Sequence, residues 1–409
     1  MPVHCLLLFA QRACYPKIFP LFSINNMLMS LMYTKYVIFT SMACLFDYIT
    51  WRGDLCFSDS PFNPVDNIIF SQLSYLTLDG IVPGPEEKKG ISIALAVRIY
   101  NEKLKDPEFK QSSIFKEDSD LIRALGASRR FGNCQLFGYV NHVDTNREVQ
   151  FSAVCVYTSD GHCFVAYRGT DSSIVGWKED FNMCFKEVIP SQLEAVTYLE
   201  KMAPKIKGHL RIGGHSKGGN LAIYASSHCG KKITRRITNI YCNDAPGFHE
   251  KVLSGEGYKA IKDKILFFVP QASIIGMFLE HGSKYTVIKS SESGIMQHNL
   301  YSWEVTYCDL VRAEKSTAGS RFINNTLKEW LKNIDNDKRE QFIDSLYYIL
   351  NAADVKTVTE LENAWFSTAG RVLKTLGTVE ESKRKLIKQT IKELFNSAGR
   401  NIDTLLKEK

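Results

Sequence analysis

The sequence lacks the short motifs that bind phosphate groups or metal ions. It contains no Gly-x-Gly-x-x-Gly segment and no Gly-Lys-Ser or Gly-Lys-Thr run, which form phosphate-binding loops. No group of His, Cys and Asp residues has the spacing of metal ligands. We therefore expect a protein without a metal or another cofactor.

Paired cysteines are lacking too. The eleven cysteines of the 409-residue chain are scattered, and no two form a Cys-x-x-Cys pair. An odd number in so long a chain is unsuited to a disulfide framework. Cys155, Cys163 and Cys242 lie in apolar, strand-like runs, as buried free thiols do. This usage indicates a reducing compartment and predicts a cytoplasmic protein.

The chain has no strong charge bias. Its net charge of +7 includes three positive charges within residues 1–41, which contain no acid. The remaining bias is weak, and no basic run is interleaved with aromatic residues. Nucleic acid is therefore not an expected partner, and the sequence makes no prediction about oligomeric state.

Residues 1–41 lack the pattern of a secretory signal. They are apolar, but Arg12 and Lys17 interrupt the first run and no Ala-x-Ala cleavage site follows. The uncharged stretch 18–34 is short for a membrane span. We expect a start-site misassignment, with the folded protein beginning at Met42; a membrane anchor is the alternative, which leaves membrane contact open.

Strand-like and helix-like segments alternate from about Asn67 onward. Runs rich in β-branched and aromatic residues occupy 138–145, 150–158, 162–170, 209–214, 235–244, 264–270 and 284–290. Helix-like segments separate several of these runs, which predicts an α/β fold with a mostly parallel sheet flanked by helices over residues 42–305. Over residues 306–409, apolar residues recur every three or four positions amid charges, which predicts a C-terminal helical region of about four helices, one of them over residues 358–377.

One segment carries a chemical signal. Residues 214–218, Gly-His-Ser-Lys-Gly, match Gly-x-Ser-x-Gly. A strand-like run precedes the motif and a helix-like run follows it, as a nucleophile elbow requires, and the small flanking residues leave the Ser216 hydroxyl accessible. This context predicts a nucleophilic serine on an α/β-hydrolase fold. A phosphate-binding loop and an ordinary turn are the alternatives.

A serine nucleophile requires a histidine base and a carboxylate that orients it. On this fold they follow the serine in the order acid, then histidine. His298, in the loop after the last predicted strand, is the expected base. Asp244, which ends the strand after the nucleophile helix, is the expected acid, and Glu280 and Asp263 are the alternatives.

An oxyanion hole requires N–H donors directed at the developing negative charge. The backbone N–H of Lys217, next to the nucleophile, is one candidate. Thr170, at the end of the strand-like run 162–170, offers its N–H and its hydroxyl as the second. The alternative is a plain β-turn through residues 168–170.

These motifs resemble those of the class 3 lipases, in which a strand ending Arg-Gly-Thr or Arg-Gly-Ser is followed by a Trp and an Asp. Residues 165–181, VAYRGTDSSIVGWKEDF, and residues 214–222, GHSKGGNLA, match this pattern. The segments FDYITWRGDLCF, VPQASIIGMFLEH and GIMQHNLYSW further resemble a bacterial α/β-hydrolase family related to these lipases. The resemblance extends from about Leu45 to Val305.

The resemblance implies roles for the same residues: Ser216 as nucleophile, His298 as base, and Thr170 and Lys217 as oxyanion donors. The chain departs from the class 3 lipases at the acid, which in those lipases precedes a Val-Pro pair. Here that place is taken by two phenylalanines, residues 267–268, so either Asp244 has taken over the role or the site works without a strong orienting acid.

A second departure is Lys217, because the class 3 lipases have Leu at this position. We expect the lysine to place a charge at the mouth of the site, which suggests a less apolar substrate than a triglyceride.

Together these observations predict a serine hydrolase of the lipase or esterase type, which cleaves a small-molecule ester or lipid through an acyl-enzyme on Ser216. One alternative is a non-catalytic binding or scaffold protein on a hydrolase fold. Another is a hydrolase of amides, peptides or thioesters. The elbow and His298 favour an enzyme, whereas the missing carboxylate before Val269 favours a scaffold.

Overall fold

The strands of the protein lie in the sheet in the same order as in the chain. In the computed structural model, which describes residues 43–109, 115–171, 173–183, 185–352 and 380–402, eight strands form one sheet. They are β1 (Ile91–Ser92), β2 (Gln135–Asp144), β3 (Val149–Tyr157), β4 (Cys163–Tyr167), β5 (Leu210–His215), β6 (Ile237–Asn243), β7 (Ile265–Pro270) and β8 (Tyr285–Ile288). A small ribbon of β9 (Val305–Thr306) and β10 (Asp309–Leu310) follows. Each predicted strand-like run overlaps one of β2 to β8.

The length of each connection explains how the strands pair. Short turns join β2, β3 and β4, which therefore pair antiparallel, and β1 pairs with β2 in the same way. Longer connections, most of them helical, join β4 to β8 in sequence, and these strands pair parallel. The prediction of a mostly parallel sheet is confirmed, with an antiparallel part at one edge.

Helices cover both faces of this sheet. They are α1 (Leu45–Arg52), α2 (Pro64–Leu73), α3 (Ile93–Lys103), α4 (Asp118–Ala127), α5 (Arg129–Gly132), α6 (Ile174–Asn182), α7 (Pro190–Met202), α8 (Lys217–His228), α9 (Lys231–Thr234), α10 (Glu250–Leu253) and α11 (Glu256–Ile261). Alternate side chains of a strand point to opposite faces. Val154 and Phe164 accordingly pack with α1 to α5, whereas Cys155 and Val165 pack with α7, α8 and α11. Helices on both faces and a tight turn from β5 into α8 make this an α/β-hydrolase fold.

The C-terminal region is helical, as predicted. The structure describes α12 (Ala318–Asn333), α13 (Asn336–Ala352) and α14 (Glu381–Asn401). The predicted helix over residues 358–377 lies outside the described residues. Lys178 of α6 forms an ion pair with Asp344 of α13, with an N–O distance of 2.8 Å. The boundary between residues 305 and 306 stays a prediction.

Residues 1–41, for which we expect a start-site misassignment, also lie outside the described residues. In the part of the chain that the structure describes, no helix combines the length and the apolar character needed to cross a membrane.

Buried polar contacts join α2 to the strand ends that carry the predicted site. Arg130 of α5 forms a fully buried ion pair with Asp66 of α2, with an N–O distance of 2.6 Å. The side chains of Asn67 and Asn243 exchange two amide hydrogen bonds of 2.9 and 3.1 Å. Asn243 also donates to the carbonyl oxygen of Gly214 at 3.0 Å. These bonds tie the end of β6 to the end of β5.

Asp66→Asn should strongly destabilise the protein. The change leaves the Arg130 guanidinium buried without its counter-charge, which costs about 3–5 kcal/mol of unfolding free energy, measured by urea denaturation. Glu102→Gln is the control, because the Glu102–Lys105 pair is exposed and its loss costs less than about 1 kcal/mol. Equal losses in the two variants would contradict this assignment.

Candidate active site

Ser216 occupies a sharp turn between β5 and α8. Its backbone has φ 56° and ψ −134°, a conformation that residues other than glycine rarely adopt. A Cβ atom on Gly218 would lie 2.1 Å from the Tyr167 carbonyl oxygen, and one on Gly214 would lie 2.4 Å from the Gly218 backbone. The turn thus requires glycine on both sides of the serine, which is the geometry of a nucleophile elbow.

Asp244 and His298 are hydrogen-bonded to each other. Asp244 directly follows β6, and its Oδ2 lies 2.6 Å from Nδ1 of His298, in the short 3₁₀ helix Gly294–His298. Its Oδ1 accepts hydrogen bonds from the Ser273 hydroxyl and, at 3.1 Å, from the N–H of Gly276. These donors satisfy a buried carboxylate and fix its orientation.

The His298 ring lies beside the elbow. Its centroid is 4.3 Å from that of His215, the residue before Ser216. Because Nδ1 faces Asp244, Nε2 is the nitrogen that remains for the serine. Within the described residues no hydrogen bond joins the Ser216 hydroxyl to His298, and such bonds commonly tighten only when substrate binds.

The two alternative acids lie elsewhere. Glu280 forms an exposed ion pair with Lys328 of α12, with an N–O distance of 2.7 Å. Asp263 belongs to a 3₁₀ turn just before β7, at the amino end of that strand, whereas Ser216 follows the carboxyl end of β5. Of the three carboxylates weighed from the sequence, Asp244 is the one that contacts His298.

Thr170 and Lys217 both adjoin the serine. Thr170 follows β4, the neighbour of β5, and a Cβ atom on Gly169 would lie 3.0 Å from that of Ser216. The Thr170 hydroxyl donates a hydrogen bond of 2.6 Å to Oδ2 of Asp180 in α6. Lys217 begins α8, so its backbone N–H has no acceptor within the helix. Their role as oxyanion donors stays a prediction.

The expectation of a charged group at the mouth of the site is wrong. The Lys217 side chain is fully buried, and its Nζ lies 2.7 Å from Oε2 of Glu179. It also donates to the carbonyl oxygen and the side-chain oxygen of Gln150, at 3.0 and 2.9 Å. α8 directs this side chain onto α6 and β3 instead of solvent, so Lys217 says nothing about the polarity of the substrate.

Burial changes the acidity of Asp180. It raises the pKa of this carboxyl group to about 6, although the charge of Lys217 and the hydrogen bond from Thr170 favour the ionised form. Oδ1 of Asp180 is buried and has no hydrogen-bond partner among the described residues.

Four residues of the site escaped the sequence analysis: Tyr75, Asp180, Ser273 and Gly276. The last three lie within the quoted motifs VAYRGTDSSIVGWKEDF and VPQASIIGMFLEH, so a signal existed but no role was assigned. Tyr75 lies outside these motifs, and its hydroxyl is 2.9 Å from Nδ1 of His215. Its role depends on a contact between residues far apart in the chain, which no local pattern reveals.

The sequence of this chain matches the model of a known protein family. A family model described as Mbeg1-like matches residues 125–348, which include Thr170, Ser216, Asp244 and His298. The chain belongs to the Mbeg1-like family. This family is related to the class 3 lipases, so the resemblance found in the sequence is confirmed at that level.

Solved structures similar to this Mbeg1-like protein include two lipases. The crystal structure of M37 lipase is 16% identical, covering 51% of this chain and 68% of that chain, with a TM-score of 0.30. The Rhizomucor miehei lipase propeptide complex is 13% identical, covering 48% and 66%, with a TM-score of 0.30. No curated protein matches the chain. The fold assignment rests on the sheet topology and the elbow.

Gly169→Ala should destabilise the Mbeg1-like protein at its site. The new methyl group would lie 2.2 Å from the Tyr75 hydroxyl oxygen and 2.6 Å from the His215 carbonyl oxygen, and such overpacking costs about 1–3 kcal/mol of unfolding free energy. Urea denaturation measures this loss. Gly399→Ala is the control, because the added atom has no neighbour within 4 Å. Its higher helix propensity should raise the unfolding free energy by at most about 1 kcal/mol. If Gly169→Ala were as stable as wild type, Gly169 could not lie as close to the Tyr75 hydroxyl and the His215 carbonyl oxygen as the structure shows.

The raised pKa of Asp180 predicts a pH-dependent stability difference between wild type and Asp180→Asn. The native state retains this proton up to about pH 6, whereas the unfolded chain loses it near pH 4. The native state thus binds more protons between these values, so wild type loses stability relative to the variant as the pH rises, by up to about 3 kcal/mol.

Urea denaturation of both proteins at several pH values between about 4 and 7 measures this difference, because groups that do not interact with Asp180 contribute equally to the two proteins. A stability difference that stays constant over this range would contradict a buried, protonated Asp180.

Proposed function

We propose that this Mbeg1-like protein is a serine hydrolase of the lipase or esterase type, which cleaves a carboxylic ester through an acyl-enzyme on Ser216. The observation that carries the proposal is the 2.6 Å hydrogen bond between Nδ1 of His298 and Asp244, next to a serine in a strained turn on the adjoining strand. The relationship of the Mbeg1-like family to the class 3 lipases also supports the proposal.

In the proposed reaction, Nε2 of His298 takes the proton of the Ser216 hydroxyl while the serine oxygen bonds to the ester carbonyl carbon. Asp244 keeps Nδ1 protonated and stabilises the imidazolium that forms. The bond to the alkoxy oxygen then breaks, and His298 gives its proton to the leaving alcohol. In the second half, His298 takes a proton from a water molecule, whose oxygen attacks the carbonyl carbon of the acyl-enzyme. The bond to the Ser216 oxygen then breaks, the carboxylic acid leaves, and His298 returns its proton to Ser216.

The negative charge on the carbonyl oxygen requires donors that are already in place. We assign this role to the backbone N–H groups of Lys217 and Thr170. The Thr170 hydroxyl is held by Asp180, which fixes the loop that carries the second donor.

The position of the acid also bears on the choice between an enzyme and a scaffold. Asp244 follows β6, and its N–H donates to the Phe268 carbonyl oxygen of β7 at 2.8 Å. An acid at the end of β6 can therefore contact the histidine. In the class 3 lipases, the corresponding acid lies on the strand equivalent to β7. The missing carboxylate before Val269 no longer favours a non-catalytic scaffold.

We extend the proposal to a cytoplasmic location. The eight cysteines that the structure describes are all free thiols, which fits a reducing compartment.

Labelling of the full chain with a fluorophosphonate tests the proposed chemistry, because the probe reacts with an activated serine. Ser216→Ala should abolish labelling, and His298→Ala and Asp244→Asn should slow it by about 10⁴-fold or more, the usual effect of losing the base or its orienting acid. The measurement is the second-order rate constant of labelling, with folding of each variant checked by circular dichroism.

Asp263→Asn and Glu280→Gln are the matched controls, because both remove a carboxylate that was weighed as the acid but does not contact His298. They should label at the wild-type rate. A folded wild-type protein that does not label would overturn the proposal in favour of a non-catalytic scaffold.

A further inference from the structure

The Lys217 side chain is fully paired behind the nucleophile. An ammonium group has three N–H donors, and here it has three acceptors, one from Glu179 and two from Gln150. Glu179 in turn accepts from the backbone N–H of Gln150 at 3.2 Å and of Ser191 at 2.9 Å. The pair therefore connects α8 to β3, α6 and the start of α7.

Two adjacent carboxylates of α6 bind the side chains of the two residues whose backbone N–H groups are the proposed oxyanion donors. Glu179 binds the side chain of Lys217, and Asp180 binds the hydroxyl of Thr170. Because Glu179 and Asp180 are consecutive residues of one helix, α6 links the loop after β4 to the first turn of α8.

Stability does not by itself explain a charged pair at this place. Replacing both members of a buried ion pair with neutral side chains of similar volume is often neutral or stabilising. The class 3 lipases that the chain resembles have an apolar Leu at the position of Lys217. An ion pair directly behind Ser216 instead supplies directional bonds, which fix the relative position of two helices.

We propose that Lys217 and Glu179 are positioning residues for the oxyanion hole. Their ion pair fixes the first turn of α8 against α6 and so sets the distance between the N–H of Lys217 and that of Thr170. Neither side chain touches the substrate. The inference rests on the proposed function, because it concerns donors that act only if Ser216 reacts.

The test compares Lys217→Met with the double variant Lys217→Met/Glu179→Gln, both of which keep the backbone N–H of residue 217. The measurements are the thermal midpoint of unfolding and the rate constant of fluorophosphonate labelling, in which the phosphoryl oxygen needs the same donors. The single variant leaves Glu179 buried without a counter-charge and should lose both stability and rate.

The double variant should regain most of the thermal stability but remain about 10- to 100-fold slower than wild type, because misplaced donors raise the barrier without unfolding the protein. Recovery of the wild-type rate together with stability would show that the pair is only structural and would overturn the inference.

Arg211→Met/Asp160→Asn is the matched control. It removes another mostly buried ion pair, which joins Arg211 at the amino end of β5 to Asp160 with an N–O distance of 2.7 Å, and it should label at the wild-type rate. An equal slowing in this control would overturn the inference, because any lost pair would then have the same effect. If wild type does not label, the proposed function fails and the inference falls with it.

Discussion

Parallel hydrogen bonding of β4, β5 and β6 brings the candidate site together. Tyr167 pairs with Gly214, which in turn pairs with Cys242, so the three strands end at the same edge of the sheet. Neighbouring strands are about 4.8 Å apart. Thr170, Ser216 and Asp244 each follow one of these ends and are therefore neighbours in space, although more than 70 residues separate the first from the last.

The strained conformation of Ser216 depends on its surroundings. The Ser216 N–H donates to the Asn243 carbonyl oxygen at 2.9 Å, and its own carbonyl oxygen accepts from Gly219 at 3.0 Å. The side chain of Asn243 is held by Asn67 of α2. Unfavourable backbone angles persist only where other interactions determine them, and here α2, β6 and α8 do so together. Helix α2 thus contributes to the conformation of the turn through Asn67 and Asn243.

The C-terminal helices also contact segments of the candidate site. The N–H of Thr317, just before α12, donates to the Gln271 carbonyl oxygen at 2.7 Å, and the Ser320 hydroxyl donates to the carbonyl oxygen of Ser273. Ser273 is also a donor to the carboxylate of Asp244. α13 is joined to α6 through Asp344. The helical region therefore contacts both the segment that binds Asp244 and the helix that carries Glu179 and Asp180.

Much of the architecture followed from the sequence, because strand periodicity and connection length act locally. The runs that became β2 to β8 were recognisable, and so was the elbow, since a serine between small residues at a strand-to-helix turn is a local pattern. His298 followed from chain order. The helix predicted over residues 358–377 and the start-site misassignment expected for residues 1–41 stay predictions, because both segments lie outside the described residues.

The sequence by itself therefore determined the fold class, the elbow at Ser216 and a short set of candidate partners. Only the tertiary structure showed which of these candidates contact one another. Which carboxylate reaches His298 depends on strand register, which places Asp244 beside the histidine and Asp263 at the far end of β7. Whether Lys217 faces solvent or the core depends on how α8 rotates against α6, and that rotation is set by packing between residues distant in the chain.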